Sequence, residues 1–326
     1  SPSPTAKPSP SPTATPSPTA KPASLKIRYH SVPTASGMYR VGVAIRQAVM
    51  ADYPELDVTI ISTSSVLERI ELARAGTTDI FEVQYEALYR AHNGTEDFKG
   101  KAMTDGRTMY APGMAAITLF ATKDSGVKSV YELTGKSYGS YAGTSTEQIH
   151  RWLFEALGIQ PKWDAAGTQA MYDAVKARRT IGFGKTGSPE PGIIEIAATL
   201  PITILEVTAA DIAKANAARP GQFHSVIIPK GTYPGQDKDV LTFGLTDGDA
   251  AYKGLSEEVA YKWLKAVNNH RNEIAKSAPG SSEVYADVLA NTLKLATVPL
   301  HLGAYKLYRE LGITVPKELI PPEASK

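Results

Sequence analysis

Nucleophiles and metal ligands are the side chains whose spacing would most directly indicate catalysis. The chain of 326 residues contains no cysteine, which excludes a disulfide scaffold, a thiolate metal site and a cysteine nucleophile. Its histidines show no H-E-x-x-H pair and no other helical spacing suited to a metal. They are His30, His92, His150, His224, His270 and His301. We therefore expect packing or surface roles for the histidines and no metal site.

Two glycine-containing segments come close to known catalytic or nucleotide-binding motifs. Gly182–Thr186 ends like a phosphate-binding loop, but Arg179 stands where that motif needs its first glycine. Gly143–Glu147 contains a serine but lacks the second glycine of a G-x-S-x-G nucleophile elbow. Spacing indicates no acid–base pair, although isolated carboxylates could still meet in a cleft. The residues therefore predict neither catalysis nor a cofactor.

The balance of charge limits the class of partner. Residues 24–326 carry 33 basic and 33 acidic side chains, so the formal net charge of +2 comes from Lys7 and Lys21. A nucleic-acid-binding domain usually carries a net basic surface, and we exclude that class. About 300 residues are too many for one core of ordinary size, which favours two lobes.

The first 23 residues have the composition of a spacer. They hold 8 of the 23 prolines, no aromatic side chain and no acid, so they cannot bury a core. Ser3–Pro8 recurs as Ser17–Pro22, with a near copy at Ser11–Pro16, and in polyproline II geometry the spacer would reach roughly 70 Å. We expect a lipid anchor upstream of Ser1 and an extracytoplasmic folded part. A cloning remnant or a simple disordered tail is the alternative.

Alternating strands and helices predict an α/β fold in two series, because such units form parallel, doubly wound sheets. The first series is Leu25–His30 (strand), Tyr39–Met50 (helix), Leu56–Ile61 (strand), Val66–Arg74 (helix) and Asp79–Val83 (strand), with a helix starting near Gln84. The second is Met114–Thr122 (strand), Ser129–Leu133 (helix), Ser137–Tyr141 (strand), a helix ending at Gly158, Met171–Lys176 (helix), Thr180–Phe183 (strand), Gly192–Thr199 (helix) and Ile202–Leu205 (strand).

After the second series the chain is expected to return to the first lobe. Val240–Gly244 predicts a recrossing strand, and Ser256–Lys276, Ser282–Ala296 and Ala304–Leu311 predict amphipathic helices. We expect lobe 1 to comprise 24–121 and 226–326, and lobe 2 to comprise 122–225. Two lobes joined by two segments form a hinged cleft, where helix N-termini can bind an anion such as a carboxylate.

Two longer motifs indicate a family. Gly231–Asp237 and Pro299–Gly312 resemble signatures of the TAXI family, the extracytoplasmic solute receptors of one branch of TRAP transporters. Asp124–Ser129, Leu133–Lys136 and Gln84 support the same resemblance. It implies a two-lobe periplasmic-binding-protein fold with two crossing segments, a monomer and no catalysis. The function implied is delivery of a small organic acid or amino acid to a sodium-coupled membrane transporter.

The resemblance also places the ligand-facing loops. Carried onto this sequence, they contain Ser36, Gly37, Met38, Tyr39, Thr63, Ser64, Ser65, Gln84, Tyr85, Gly143, Thr144, Ser145, Thr146, Gly187, Ser188 and Pro189. Capping of the helices that follow is the alternative role for these serines, threonines and glycines.

This sequence departs from the family pattern at two arginines. Arg40 lies in a shortened first loop, and Arg69 stands where the family usually has asparagine. Either guanidinium could clamp a carboxylate through two parallel, charge-assisted hydrogen bonds, and an ordinary surface position on a helix is the alternative for each.

Tyrosines in or beside the predicted loops could give the ligand site an apolar wall. Tyr39, Tyr85 and Tyr141 are the candidates, whereas Tyr172 lies inside a predicted helix, where packing is the expected role. An enzyme or a ligand-sensing domain on the same fold is the rival interpretation, since fold does not fix function.

Overall fold

The computed structural model describes residues 24–34, 37–141, 144–277 and 285–325. The predicted spacer 1–23 and the predicted site residues Ser36 and Gly143 lie outside these ranges. Within the ranges, none of the helices combines the length and apolar character that crossing a bilayer requires.

The first lobe begins with three strand–helix units. They are β1 (Leu25–Ser31), α1 (Gly37–Asp52), β2 (Leu56–Ser62), α2 (Val66–Arg74), β3 (Ile80–Gln84) and α3 (Tyr85–Asn93). Strand β1 lies between β2 and β3 and pairs in parallel with both. The alternation predicted for this region is confirmed, and the three helices begin at the same edge of the sheet because parallel strands all end there.

Strand β4 (Gly106–Thr122) carries the chain into the second lobe. That lobe contains β5 (Ser137–Tyr141), α4 (Ser145–Leu157), β6 (Lys162–Ala166), α5 (Thr168–Lys176), β7 (Gly184–Thr186), α6 (Pro191–Thr199), β8 (Ile202–Ile204), α7 (Ala209–Ala218) and β9 (His224–Ile228). Strands β5 and β6 pair in parallel, whereas β7 and β8 each pair antiparallel with the end of β4.

The sequence prediction for the second lobe omitted β6, α7 and β9 and placed one strand differently. Strand β7 is Gly184–Thr186 rather than the predicted Thr180–Phe183. The end of the predicted segment still joins the sheet, because the carbonyl of Phe183 accepts from the backbone N–H of Phe120 and that of Gly182 accepts from Gly139. Thr180 and Ile181 form a bend, and the regular ladder with β4 starts at Gly184.

Strand β10 (Val240–Tyr252) returns the chain to the first lobe and is longer than the predicted Val240–Gly244. It pairs antiparallel with β4 in both lobes, with β9 in the second lobe and with β3 in the first. Its register against β4 shifts between Asp247 and Asp249, which marks a β-bulge between the lobes. The two predicted crossing segments are confirmed as β4 and β10.

Four helices complete the described part of the first lobe: α8 (Glu257–Asn269), α9 (Arg271–Ala275), α10 (Val288–Leu295) and α11 (Leu302–Glu310). The predicted single helix Ser256–Lys276 is wrong, because His270 interrupts it and forms the end of α8 and the start of α9. The side chain of His270 pairs with Asp52 of α1 at 2.8 Å.

Four clusters of buried apolar side chains divide between the lobes. Two clusters draw on residues 27–111 and 250–319, and the other two draw on residues 116–245. Ile228 and Phe243, which the predicted division assigns to lobe 1, pack in the second lobe. The boundaries at 121/122 and 225/226 stay a prediction, and the clusters favour boundaries inside β4 and β10.

A buried carboxylate joins β10 to the core of the first lobe. Asp249 accepts hydrogen bonds from the Tyr29 hydroxyl and from Trp263 Nε1, each at 2.9 Å. The two rings meet edge to face with their centroids 5.1 Å apart. Burial raises the pKa of Asp249 to about 7, and the two donors fix the carboxyl group beside the bulge.

We predict that Tyr29→Phe lowers the free energy of unfolding by about 1–3 kcal/mol, because it removes a donor from a buried carboxyl group. The matched control is Tyr252→Phe, whose half-buried hydroxyl bonds Asp105; it should cost less than about 1 kcal/mol. Urea denaturation at pH 7 measures both. Equal losses would show that the Tyr29 hydroxyl does not stabilise Asp249.

Candidate functional site

Helices from both lobes begin at the cleft. In the first lobe the Ser65 side chain caps α2 by accepting from Glu68 N, and in the second the Thr144 side chain caps α4 by accepting from Glu147 N, both at 3.2 Å. The capping alternative therefore holds for Ser65 and Thr144. Capping leaves the other first-turn N–H groups available to an anion, so a ligand role for these loops stays a prediction.

The first cavity, which we call the outer cavity, has a volume of about 400 Å³ and lies between the starts of α2 and α4. It brings together Ser65 and Thr144, two of the predicted site residues, with Gln148 and Trp152. Arg151 also lines the cavity and pairs with Glu147 at 2.7 Å. This cavity is therefore bounded by both lobes.

The second cavity, which we call the hinge cavity, has a volume of about 450 Å³ and follows β4 where it crosses between the lobes. It brings the predicted residues Met38, Gly187 and Ser188 together, with Asp247 and Tyr285 in the same lining. The first turn of α1, the loop after β7 and the junction of β4 with β10 thus meet in one space.

The remaining first-lobe candidates are placed in different surroundings. Tyr39 is half-buried and Arg40 is exposed in the first turn of α1, which starts at Gly37. The exposed Ser64 donates to Glu68 at 2.6 Å. Gln84 is half-buried before α3.

Tyr85 is buried in the core rather than placed as a wall of either cavity. Its hydroxyl lies 2.8 Å from the carbonyl oxygen of Asp249 and 3.0 Å from that of Tyr110. An apolar strand followed by a helix start gives no sign of which way a single aromatic ring points. A contact between Tyr85 and a ligand stays a prediction.

The second-lobe candidates surround a lysine that sequence reasoning missed. Lys185 Nζ lies 5.0 Å from the ring centre of Tyr141, donates to the Tyr172 hydroxyl at 3.0 Å and approaches Glu190 at 3.5 Å. The neighbouring Thr186 hydroxyl bonds that of Thr146 at 2.9 Å. The only sequence signal for Lys185 was its position just before the predicted loop Gly187–Pro189. Pro189, a predicted site residue, is exposed.

Arg69 is buried and all three of its guanidinium nitrogens have partners. Nε donates to the carbonyl of Glu82 at 2.6 Å, Nη1 donates to Thr63 Oγ1 at 3.1 Å, and Nη2 lies 2.6 Å from Glu82 Oε2. The side chain is therefore used to hold β3 and the loop after β2. A direct clamp by Arg69 on a ligand carboxylate stays untested.

Buried acids near the bulge are the second feature that sequence reasoning missed. Burial raises the pKa of Glu82, and burial together with the charges of Glu82 and Glu86 raises the pKa of Asp247 well above its ordinary value. Glu86 accepts from Thr246 N at 3.0 Å, and burial raises its pKa to about 7. Glu82 inside the predicted strand Asp79–Val83 was the available signal, because a charged residue in a buried strand must be paired or functional.

The two lobes also meet through a cluster around Trp152 of α4. Arg90 of α3 and Arg219 each place a guanidinium 4.9 Å from the Trp152 ring centre. Arg90 donates to Gln222 at 2.6 Å, and Gln148 donates to Asp97 at 2.9 Å. These contacts hold the lobes together beside the outer cavity.

We predict that Arg69→Ala lowers the free energy of unfolding by about 3–5 kcal/mol, because it leaves Glu82 buried without its cation. Arg40→Ala, at the other candidate arginine, should change it by less than about 0.5 kcal/mol since Arg40 is exposed. Denaturant unfolding at pH 7 tests the pair. A small loss in both variants would contradict the supporting role of Arg69.

We also predict that Glu86→Gln removes part of the pH dependence of stability. A buried acid whose folded pKa is about 7 binds its proton more tightly in the folded state, so its contribution to stability falls as pH rises from about 4.5 to 7. The stability of wild type relative to Glu86→Gln should therefore fall by about 2–3 kcal/mol between pH 5 and 8. Parallel stability–pH curves for the two proteins would refute this.

Three solved structures of other proteins are similar to this chain over most of its length. XAC2383 from Xanthomonas citri, solved with chloride bound, is 9% identical with a TM-score of 0.51, over 87% of this chain and 99% of that one. The periplasmic aliphatic sulphonate binding protein SsuA from Escherichia coli is 13% identical with a TM-score of 0.46, over 91% and 90%. A TctC solute binding protein from Polaromonas is 11% identical with a TM-score of 0.49, over 83% and 88%.

The predicted α/β fold class with two lobes is confirmed by the strand order and the two crossing strands. The sequence model of the NMT1-like family matches residues 32–312, which include both crossing strands and both cavities. The chain therefore belongs to the NMT1-like family.

Proposed function

We propose that this chain is an extracytoplasmic solute receptor that binds a small organic acid or amino acid and delivers it to a TRAP-type transporter. The observation that carries the proposal is the outer cavity, whose lining comes from helix starts in both lobes. A ligand there contacts both lobes at once, so its binding favours a closed arrangement. The TAXI-like motifs Gly231–Asp237 and Pro299–Gly312 support the transporter assignment.

Binding of an anionic group does not require a net positive protein. The first-turn N–H groups of α2 and α4 and the partial positive ends of these helices favour a carboxylate. Lys185 adds a cation in the second lobe. We propose Lys185, rather than Arg40 or Arg69, as the side chain that pairs with the ligand carboxylate. Its side chain is 22% exposed and lies among Tyr141, Tyr172 and Glu190, so a ligand carboxylate can approach it.

Closure of the cleft is proposed to produce the surface that the membrane subunits recognise. The contact of Arg90 with Trp152 joins the lobes next to the outer cavity, so it supports a closed arrangement. The composition of residues 1–23 supports lipid anchoring, because proline-rich sequences serve as semi-rigid spacers.

We predict that a thermal-shift screen of dicarboxylates, amino acids, keto acids and aromatic acids identifies one class that raises the melting temperature, since a ligand of the native state stabilises it. The ligand should be recovered chemically unchanged after long incubation. Uptake by vesicles that contain the cognate transporter should require the receptor. Turnover of the ligand would support the enzyme alternative, and uptake without the receptor would refute delivery.

The role of Lys185 has its own matched test. Lys185→Met keeps most of the side-chain volume and removes the charge, and it should weaken an acidic ligand by about tenfold or more. Lys176→Met, which removes a lysine paired with the exposed Glu195, should leave affinity unchanged. Calorimetric titration of both variants measures the effect. Equal affinities would remove Lys185 from the proposed site.

A further inference from the structure

Three acidic side chains lie close together where the lobes meet. Glu82 of β3 and Asp247 of β10 come from neighbouring antiparallel strands, in which Asp247 is opposite Gln84 and Asp249 is opposite Glu82. Opposite residues share a face of the sheet, and so do residues two apart on one strand. Glu82 and Asp247 therefore lie on the same face. Glu86 is in the first turn of α3, and its carboxylate accepts from the backbone of Thr246, beside Asp247.

The cations around these acids are fewer than the acids. Arg69 pairs with Glu82. His224 Nε2 is 3.7 Å from Glu86 Oε1, but burial lowers the pKa of His224, so that the ring is neutral at pH 7. Arg90 contacts Asp97 and Gln222 instead.

Glu86 lacks one hydrogen-bond partner and also affects the neighbouring Asp247. Glu86 is 1% exposed, and its Oε2 has no hydrogen-bond partner among the described residues. The charge of Glu86 acts directly on Asp247, whose pKa it helps to raise together with Glu82. A buried acceptor without a donor is costly, and a positive charge beside Asp247 would offset the repulsion between Asp247 and Glu86.

Asp247 connects this acidic group to open space. It is half-buried and lines the hinge cavity of about 450 Å³, next to Met38, Met114 and Tyr285. Lys294 also lines this cavity, but it is exposed to solvent. The cavity therefore combines apolar walls with a carboxyl group, which suits a small organic molecule with a cationic end.

We propose that the hinge cavity binds a protonated amine, with Asp247 as its direct partner and with Glu82 and Glu86 behind Asp247. This inference rests on the proposed function and narrows it: the solute carries an amino group and is an amino acid rather than a plain organic acid. The amine meets Asp247, while its carboxylate meets the start of α1, whose Met38 lines the same cavity, or Lys185, which lies two residues before Gly187 of the lining. A solute held in this way contacts β10 and both lobes.

Matched ligand pairs test the proposal: glutamate against glutarate, γ-aminobutyrate against butyrate, and phenylalanine against phenylpropionate, with putrescine as an amine without a carboxylate. Thermal shift and calorimetry should show that at least one amine-bearing member binds about tenfold or more tightly than its partner. Asp247→Asn, which preserves shape, should remove that advantage and leave binding of the amine-free acids unchanged. The matched control is Asp237→Asn at an exposed loop position, and it should behave like wild type.

Every other outcome contradicts either the amine site or the proposed receptor function. Equal binding within every pair, unaffected by Asp247→Asn, refutes the amine site and leaves the receptor proposal standing. Binding of putrescine but of no acid refutes the receptor for acids and supports the amine site. If sodium, potassium or calcium chloride stabilises the protein and Asp247→Asn removes this stabilisation, the site binds an inorganic cation rather than an amine. Absence of any binding refutes both. Should Asp247→Asn fail to fold, Glu86→Gln should lower the amine advantage by about threefold or more.

Discussion

The antiparallel pairing of β4 with β10 is the interaction on which the rest of the structure depends. Each strand begins in one lobe and ends in the other, and the ladder between them continues through the junction. The backbone hydrogen bonds of this ladder are satisfied in both lobes at once, so neither lobe can fold its sheet without placing the other. The hinge cavity follows β4 at this point, and Asp247 of β10 enters it.

The same pairing of strands brings charged side chains together at the junction between the lobes. Because β3 ends beside Asp247 and α3 begins immediately after β3, three carboxyl groups are brought into a region that water enters poorly. Arg69 offsets one of them, and its three donor groups are used in doing so. The first lobe and its junction thus carry the acids, and Lys185 lies in the second lobe. Under the proposal made above, this separation of charge favours a zwitterion over a simple anion.

Local patterns in the sequence were sufficient for the α/β class, the strand–helix units of the first lobe and the existence of two crossing segments. They failed where long-range pairing decides the structure. Gly106–Pro112 contains glycine, arginine and proline, so the first half of β4 has no clear strand pattern, yet β10 and Pro299 complete its hydrogen bonds. Thr246–Asp249 has the composition of a turn, but it continues β10 through the bulge.

The candidate site was predicted less completely, for a related reason. Ser65, Thr144, Met38, Gly187 and Ser188 do line the two cavities, because loops after parallel strands converge whatever their residue types. Whether a side chain points into that space depends on packing from other elements: Tyr85 is held in the core by the backbone of β4 and β10, and Arg69 by Glu82. Spacing along one segment carries no information about these partners.

The register shift at Asp247 and Asp249 has a mechanical consequence. Asp249 is anchored to Tyr29 and Trp263, so one side of the irregularity is clamped to a rigid body while the other side carries Asp247 into the cavity. The extra residues lie on β4, since Asp247 to Asp249 of β10 face Gly113 to Tyr110 of β4, whereas β10 stays in register with β3. A molecule that contacts Asp247 therefore contacts the crossing strand that keeps its regular pairing at the junction, and through it both lobes.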